Sequence, residues 1–560
     1  MYLLKLLLNA QIRSIFNGLL DLILRVVKMA LFQNITINIF LILPVILMLI
    51  YSTINKSSKY LQDGLVLASV FAISILHRLP YVLMNAPLSH DEDILLTFGI
   101  NLKFNHMIFD TIEPTTQGII HAYVPMFIEL SSQIHKYAYS SLHLLSVLIH
   151  VICIFVMYKA IKNMFSFESA IFATYLGMLF FIFNKLQDFI HYHNEIESIL
   201  LLALTIYLSS LISMRSDRYK MAVCTNGLLL GMTPYSKLQA IPIAIVFFTW
   251  CIYLICKNYI NKITILTMYT TCCLLPTIIL LILLNTRNLL DDFIFYYVKS
   301  NMYYHNNTSL PDNILSMLSS TPINVACSMF IAACLIIYSF NKLSNKQFNY
   351  LLIAILTSSL YSIARTGHSF PHYFSYLFIF VTLAGSYCFS TFKTDKQKLT
   401  CTIVVNLTCI LLSLNSFEHR KERLTGDYFS PIRQSAASKA ILGLSLTSGE
   451  SLVVWGWYPI LNIETGLPSG TKENHSYYSS HSLLKNDFEN RYVKDMIKNQ
   501  PLFFVDSKVM MLDEYVPFES KKEISKYIND NYVFYRTLSG SDYYDNNMVD
   551  IYINKNRIAK

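Results

Sequence analysis

Twelve apolar segments constrain the fold of this chain more than any other feature of its sequence. A helix that crosses about 30 Å of hydrocarbon needs roughly 20 apolar residues, and twelve segments come close to that length. They lie at about 35–54, 64–84, 140–161, 168–186, 194–213, 222–236, 239–256, 263–284, 321–340, 348–364, 373–392 and 399–416. With 54% hydrophobic residues over 560 positions, this pattern predicts a polytopic membrane protein and excludes a soluble enzyme, a fibre or a disordered chain.

Charged residues divide the chain into two parts. Residues 417–560 hold 18 Lys and Arg and 18 Asp and Glu, whereas the preceding 416 residues hold the other 43 of the 79 charged residues. Short β-rich runs in this tail begin at Leu452, Leu502, Tyr532 and Val549, and they alternate with helical patterns near 432–446, 486–499 and 519–529. We therefore expect an α-helical polytopic body of about 11–13 transmembrane helices, 35–416, and a small C-terminal α/β domain, 417–560.

The connecting loops predict the orientation of the body. Lys and Arg concentrate in every second loop, and such loops are retained on the cytoplasmic side. The alternate loops, chiefly 85–139, and the C-terminal domain then face the periplasm or the cell exterior. The formal charge of +9 follows this topology rather than a nucleic-acid-binding patch. Residues 1–34 mix basic and apolar residues and form either an amphipathic segment or an extra membrane segment.

The densest acidic cluster of the body lies in the first external loop and reads Ser89-His90-Asp91-Glu92-Asp93. Ser89 with Glu92 three residues on fits a helix capping box, and acids in a first turn suit the helix dipole. Three consecutive acids exceed what a cap requires. The functional interpretation makes Asp91 a general base or a metal ligand at the outer membrane face.

A second external polar group lies between two predicted spans. Its residues are Asp188, His191, His193, Asn194, Glu195 and Glu197. Asn194 and Glu197 offer another capping box, which leaves Glu195 and Asp188 without a structural role. The two histidines with nearby carboxylates also suggest a metal site, but their spacing is not a typical ligand pattern.

Outward-facing cationic and imidazole side chains complete the candidate site. They are Lys237, Arg365, His368 and His372. Each has a simpler interpretation as a side chain that snorkels to the interface. Together with an outward carboxylate, however, they suit an anionic lipid head group and a hydroxyl acceptor. Asp291, Asp292 and the aromatic run 293–304 border the same cavity or form a surface helix.

Several segments, in order, resemble the bacterial polytopic glycosyltransferases of the GT-C fold, which include protein O-mannosyltransferases, lipid A aminoarabinose transferases and Rgt-like enzymes. The segments that carry the resemblance are His90-Asp91-Glu92, residues 110–123, Gly227 to Gly231 followed by Lys237, Phe370-Pro371-His372-Tyr373, and Val454 to Pro459. The resemblance covers roughly residues 64–470. It implies inverting transfer of a sugar from a polyprenyl-phosphate donor to a hydroxyl of a glycan, lipid or protein, at the outer face of a bacterial inner membrane.

The resemblance also implies roles for the acids. The acid of the first external loop is the catalytic base in this family, and it falls on Asp91, with Glu92 beside it. A second acid from the next external loop falls on Glu195 or Asp188. The chain has three consecutive acids here, so the choice among Asp91, Glu92 and Asp93 stays open.

The same resemblance implies that Lys237 contacts the donor phosphate, and that Arg365, His368, His372 and His90 help to bind substrate. Membrane lipids and a lipid-linked sugar are the expected partners, and nucleic acid is not. No cofactor is certain from the sequence, and a divalent metal fits the acids. Two alternatives remain: a ligase or polymerase of the O-antigen type that uses lipid-diphosphate glycans, and a polytopic transporter or flippase.

Overall fold

The computed structural model describes residues 59–130, 132–303, 309–339, 345–368, 370–415, 430–444, 450–510, 514–541, 543 and 547–558. The predicted segment 1–34, the predicted span 35–54 and the predicted boundary at 416–417 lie outside these residues. The chain divides into two compact units, residues 1–77 and residues 78–560. In the first unit the described residues, 59–77, belong to one helix. The candidate site lies in the second unit.

Helices form most of the described chain. In chain order they are α1 (Lys59–Leu83), α2 (His90–Phe104), α3 (Ile119–Glu129), α4 (Ser132–His135), α5 (Ala138–Met164), α6 (Phe167–Phe181), α7 (Ile196–Ser213), α8 (Tyr219–Ser236), α9 (Ile241–Asn258), α10 (Lys262–Thr286), α11 (Leu290–Asp292), α12 (Ser300–Tyr303), α13 (Leu310–Ser319), α14 (Ile323–Ser339), α15 (Lys346–Ala364), α16 (Leu377–Ser390), α17 (Asp395–Asn415), α18 (Ala436–Leu444), α19 (Ile460–Thr465), α20 (Tyr477–His481), α21 (Lys485–Asn499), α22 (Lys522–Asn531) and α23 (Lys555–Ile558). Short 3₁₀ turns occur at Gln187–Phe189, Leu238–Ala240, Pro371–Tyr376 and Phe518–Ser520, and a π-helix at Phe293–Lys299.

Eight helical segments of the described chain are long and apolar enough to cross a membrane. They are Gln62–Leu83, Ala138–Met164, Ile196–Ser213, Leu238–Asn258, Lys262–Thr286, Lys346–Ala364, Pro371–Ser390 and Asp395–Asn415. Each coincides with one of the predicted spans. These helices indicate a multi-pass membrane protein.

Three other predicted spans differ from the structure. The segment predicted at 168–186 forms a helix of only 15 residues, α6. The segment predicted at 222–236 is the 18-residue helix α8, which does not reach the hydropathy of a span. The segment predicted at 321–340 is α14, which meets α13 at an angle of 102°. By length and composition, the described residues thus contain eight candidate spans, or nine if α13 and α14 together form one span.

Helices α8 and α10 pack closely because two glycines of α8 face α10. A Cβ on Gly231 would collide with the carbonyl oxygen of Cys273, and a Cβ on Gly227 would lie 2.6 Å from the carbonyl oxygen of Tyr269. Glycines four residues apart let helix backbones approach each other within a membrane. Cys272 and Cys273 lie at this contact, and all eleven cysteines are unpaired.

The C-terminal region contains the predicted small α/β fold. Its strands are β1 (Leu452–Trp455), β2 (Phe503–Asp506), β3 (Tyr532–Ser539) and β4 (Met548–Asn554), in the sheet order β1-β2-β4-β3. β1 pairs with β2 in parallel, whereas β4 runs antiparallel to both of its neighbours. Buried apolar side chains cover both faces of the central strands, as expected for a sheet with helices packed on it.

Helix α2 lies between the helical body and the C-terminal domain. Its residues from Glu92 to Leu102 are all buried, although its composition is too polar for a membrane span. The Thr97 hydroxyl donates to the Pro459 carbonyl at 3.3 Å, and the Asn474 amide donates to the Ile94 carbonyl at 3.0 Å. A helix that is buried all round must be covered by protein on every side. The C-terminal domain therefore completes the surroundings of the acidic cluster.

Candidate active site

A cavity of about 540 Å³ opens beside the first turn of α2. Five of the nine predicted site residues line it: His90, Asp91, Asp188, Lys237 and His372. They come from four segments that are far apart in sequence. Asp91 and Lys237, to which the resemblance assigns the base and the phosphate contact, both contribute to this wall.

The capping of α2 positions Asp91. The Ser89 hydroxyl accepts a hydrogen bond from the Asp91 backbone N–H at 3.2 Å, so the predicted N-cap is present. The Asp91 side chain is partly exposed in the cavity. Among the described residues it has no hydrogen-bond or ion-pair partner, and its carboxylate is therefore available to a ligand.

Glu92 is used differently from its neighbour. Its buried carboxylate accepts hydrogen bonds from the backbone N–H groups of Leu88 at 2.9 Å and Tyr192 at 3.2 Å, and it pairs with His143 at 3.1 Å. Burial alone raises the pKa of Glu92, but the charge and hydrogen bond of His143 outweigh burial and lower it. Glu92 does not line the cavity. It also does not complete the predicted capping box, because its side chain reaches Leu88 and not Ser89.

His372 connects two carboxylates at the cavity wall. Its Nδ1 lies 3.0 Å from Asp188 Oδ1, and its Nε2 lies 3.8 Å from Glu195 Oε2. Burial would raise the pKa of Asp188, but the hydrogen bond and charge of His372 lower it. The 3₁₀ turns Gln187–Phe189 and Pro371–Tyr376 hold Asp188 and His372 in place.

Glu195 lies behind the wall and pairs with Lys237. Lys237 Nζ is 3.3 Å from Glu195 Oε1, and His193 Nδ1 is 3.2 Å from Glu195 Oε2. Burial would raise the pKa of Glu195, yet the charges of Lys237 and His372 hold it well below its ordinary value. Burial lowers the pKa of His193 to about 4. Glu195 is therefore an ionised partner that fixes the lysine.

Lys237 is positioned by a close backbone approach at Gly118. The lysine ammonium donates to the Thr116 carbonyl at 2.7 Å, and its side chain is largely buried. Gly118 has φ +85°, and a Cβ there would collide with the carbonyl oxygen of Ser236, next to Lys237. Only glycine combines that backbone conformation with that contact.

Arg365 and His368 lie away from this group. Arg365 is exposed at the C-terminal end of α15. The His368 ring stacks on Phe370 with ring centroids 5.4 Å apart, and Phe370 itself lines the cavity. Neither predicted residue is part of the cavity wall.

The C-terminal domain contributes an aromatic wall that the sequence interpretation did not assign to the site. Trp457, His475, Tyr477 and Tyr478 line the cavity. The Trp457 and His475 rings stack in parallel at 4.9 Å, and burial lowers the pKa of His475 to about 3, which keeps it neutral. The motif around Trp457 was noted in the sequence, but no spacing marks His475 or Tyr477 as neighbours of Asp91.

Two other acidic groups lie away from the cavity. Glu197 does not form the predicted capping box with Asn194, because its carboxylate contacts His121 Nδ1 at 2.7 Å and the Tyr192 hydroxyl. Asp292 forms ion pairs with Lys472, at 2.7 Å, and with Arg491. The segment around Asp292 therefore docks on the C-terminal domain rather than bordering the cavity.

Metal-binding geometry is absent from the part of the chain that the structure describes, where no three or more His, Cys, Asp or Glu side chains are grouped to hold an ion. This includes His191 and His193, whose rings meet edge to face at 5.9 Å. The side chains that line the cavity include carboxylates, a lysine, imidazoles and aromatic rings.

Comparison with known proteins gives matches in structure only. No protein family model matches the chain, and no curated protein matches it in sequence. The solved structures that are similar include three of the oligosaccharyltransferase of Archaeoglobus fulgidus. The complex with zinc and sulfate is 11% identical with a TM-score of 0.43, covering 79% of this chain and 68% of that chain.

The same enzyme tethered to an acceptor peptide with an NVT sequon is 10% identical with a TM-score of 0.45, covering 85% of this chain and 73% of that chain. Its apo form is 10% identical with a TM-score of 0.43, covering 78% and 69%.

Proposed function

We propose that this chain is a membrane glycosyltransferase that moves a sugar from a polyprenyl-phosphate donor to an acceptor hydroxyl at the outer face of the inner membrane. One observation carries the proposal: a carboxylate with no hydrogen-bond or ion-pair partner among the described residues, Asp91, and a fixed cation, Lys237, line the same cavity. Aromatic side chains form another part of its wall. A base, a phosphate contact and a sugar platform are what this transfer requires.

Asp91 is the proposed general base. The attacking hydroxyl must lose a proton as its oxygen bonds to the anomeric carbon, and a carboxylate within reach accepts that proton. Glu92 cannot take this role, since it is buried and already accepts from Leu88, Tyr192 and His143. Glu195 cannot either, since its carboxylate holds Lys237.

Lys237 is the proposed contact of the leaving phosphate. As the bond between the anomeric carbon and the phosphate oxygen breaks, that oxygen gains negative charge, which a preplaced cation stabilises. His372, which is hydrogen-bonded to Asp188, lies in the same cavity wall. The products are the glycosylated acceptor, the polyprenyl phosphate and a proton on Asp91. A single displacement of this kind inverts the anomeric carbon.

Reconstitution with lipid donors tests the proposal. Purified protein in liposomes receives polyprenyl-phosphate sugars and a hydroxyl acceptor from the surface glycans of the host, and mass spectrometry follows the product. Lipid-linked sugars and surface glycans from cells with and without the protein identify donor and acceptor. We expect the lipid-linked donor to accumulate in cells that lack the protein; unchanged pools and glycans would contradict the function.

Substitution of the base gives the sharper test. Asp91→Asn should lower turnover by about 10²–10⁴-fold, the usual contribution of general-base assistance, with unchanged abundance and thermal unfolding. Asp291→Asn is the matched control, because Asp291 is exposed and outside the cavity wall. An Asp91→Asn protein with wild-type turnover would refute the assigned base.

A further inference from the structure

Four buried polar atoms around the cavity have no hydrogen-bond partner among the described residues. They are Gln117 Oε1, His191 Nε2, Asn194 Oδ1 and Trp457 Nε1. All four residues line the same cavity, and each side chain is at least nine-tenths buried. None of them has a part in the proposed proton transfer or in the phosphate contact.

Such atoms are costly when they are left unpaired. A buried donor or acceptor without a partner destabilises the folded state, and folded proteins contain few of them. Four such atoms belong to residues of one cavity wall, where a polar occupant would pair with them. The cavity of about 540 Å³ has room for that occupant.

The types of atom restrict the occupant's chemistry. Gln117 and Asn194 present carbonyl oxygens, which need a donor, whereas the Trp457 indole N–H needs an acceptor. An ionised phosphate donates no hydrogen bond, and a prenyl chain neither donates nor accepts. A sugar hydroxyl does both, and it pairs with either orientation of the two amides. The set therefore fits the hydroxyl groups of a sugar ring.

The local fold places the indole at the cavity. Gly456 has φ +107°, and a Cβ there would collide with Ser507 Oγ. This turn is fixed by the Gly456 N–H, which donates to Ser476 Oγ at 2.7 Å, and the next N–H, of Trp457, donates to the Val509 carbonyl at 2.7 Å. The Trp457 backbone is thus fixed and its ring stacks on His475, although its indole N–H is unpaired within the described chain.

We propose that Gln117, Asn194, His191 and Trp457 form a sugar-hydroxyl subsite of the cavity, with the Trp457 N–H as its specificity-determining donor. This inference rests on the proposed glycosyl transfer and adds how the sugar is recognised. The same chemistry belongs to a sugar of the donor and to a sugar of the acceptor. Binding and turnover measurements separate these two sources.

The subsite is tested by comparing the binding of lipids that carry a sugar with the binding of the bare lipid. The probes are polyprenyl-phosphate mannose, glucose, galactose and aminoarabinose, each compared with bare polyprenyl phosphate of the same chain length in nanodiscs. We expect at least one sugar lipid to bind wild type more tightly than the bare lipid. Trp457→Phe keeps an aromatic ring and removes the N–H. It should weaken the binding of that sugar lipid about five- to tenfold and leave the affinity for the bare lipid unchanged.

Control variants distinguish a loss of the subsite from misfolding as the cause of weaker binding. Trp250→Phe makes the same substitution in α9, outside this cavity, and should leave both affinities unchanged. Gln117→Met removes a second polar group without a loss of volume and should cause the same selective weakening. Both cavity variants should unfold at the wild-type temperature.

The outcomes are distinct. Selective loss of the sugar lipid assigns the subsite to the donor, whereas an unchanged donor affinity with a raised KM for a glycan acceptor assigns it to the acceptor. Equal weakening of both lipids, or no change in either affinity or KM, overturns the subsite. Failure of the proposed function appears separately, as absent transfer by wild type, while sugar-selective binding remains measurable.

Discussion

Adjacent carboxylates of this chain have different tasks because their surroundings differ. Asp91 is partly exposed at the cavity, whereas Glu92 is wholly buried against His143. Glu195, also buried, stays ionised beside Lys237. Glu473 is also buried, and burial raises its pKa to about 8. The carboxyl group thus has three roles in this chain. It is the proposed base at Asp91, a structural anion at Glu92 and Glu195, and a largely protonated acid at Glu473.

Glu92→Gln should destabilise the protein at neutral pH by about 1–3 kcal/mol, because His143 loses a charged partner. The folded-state pKa of Glu92 lies below its ordinary value. Its stabilisation is therefore present above about pH 4.5 and is lost as the pH falls through the folded-state pKa. Thermal unfolding at pH 7 and pH 4 measures this, and an equal loss at both pH values would contradict it.

Glu473→Gln should have the opposite pH dependence. The folded-state pKa of Glu473 is about 8 against an ordinary 4.5, so ionisation destabilises the folded protein progressively as the pH rises between these values. Glutamine mimics the protonated acid and retains the acceptor for the Tyr478 and Ser479 N–H groups. We expect similar unfolding temperatures for variant and wild type at pH 4.5, and a higher one for the variant at pH 8.5. A gain at pH 4.5 alone would argue against this account.

At the scale of secondary-structure elements, short turns rather than long helices place the site. Asp91 belongs to the first turn of α2, Asp188 and His372 to 3₁₀ turns, and Lys237 to the end of α8. The long apolar helices form the scaffold. Where backbones meet most closely, glycine is required, as at Gly118.

Gly118→Ala should lower transfer at least tenfold. The methyl group would collide with the Ser236 carbonyl at a positive φ, so the turn must move away from Lys237 and lose the Thr116 contact. Gly443→Ala in α18 is the matched control, because nothing lies within 4 Å of the added methyl group, and alanine is the better helix former. Initial rates in liposomes measure the effect, and wild-type rates for Gly118→Ala would disprove the positioning role.

At the scale of the whole molecule, the cavity is complete only when the C-terminal domain is docked. The helical body supplies Asp91, Asp188 and Lys237, and the C-terminal domain supplies Trp457 and His475. Asp292 joins the two through its ion pairs with Lys472 and Arg491. These pairs are partly buried, so removing Asp292 leaves two cations without their partner.

Asp292→Asn should loosen this docking. Limited proteolysis should release the C-terminal domain several-fold faster, and turnover should fall because the aromatic wall is displaced. Lys498→Ala is the control, since Lys498 and its partner Asp110 are exposed at 61% and 33%, and such pairs contribute about 0–1 kcal/mol. Equal proteolysis rates for Asp292→Asn and wild type would show that other contacts hold the domain.

The sequence by itself determined the elements whose signal is local. Eight predicted spans coincide with apolar helices, and all four β-rich runs of the tail are strands. The N-cap at Ser89 is also present. Hydrophobic length, strand alternation and capping depend on residues close together in the chain, so a single sequence is sufficient to recognise them.

Only the tertiary structure decided which polar residues share the cavity. Asp91 and Glu92 look equivalent in sequence. Glu92, however, contacts His143 and Tyr192, which are 51 and 100 residues away, and these contacts hold its side chain outside the cavity wall. Trp457 and His475 join Asp91 across more than 360 residues of chain. Burial and pairing are set by such through-space contacts, and no local pattern encodes them.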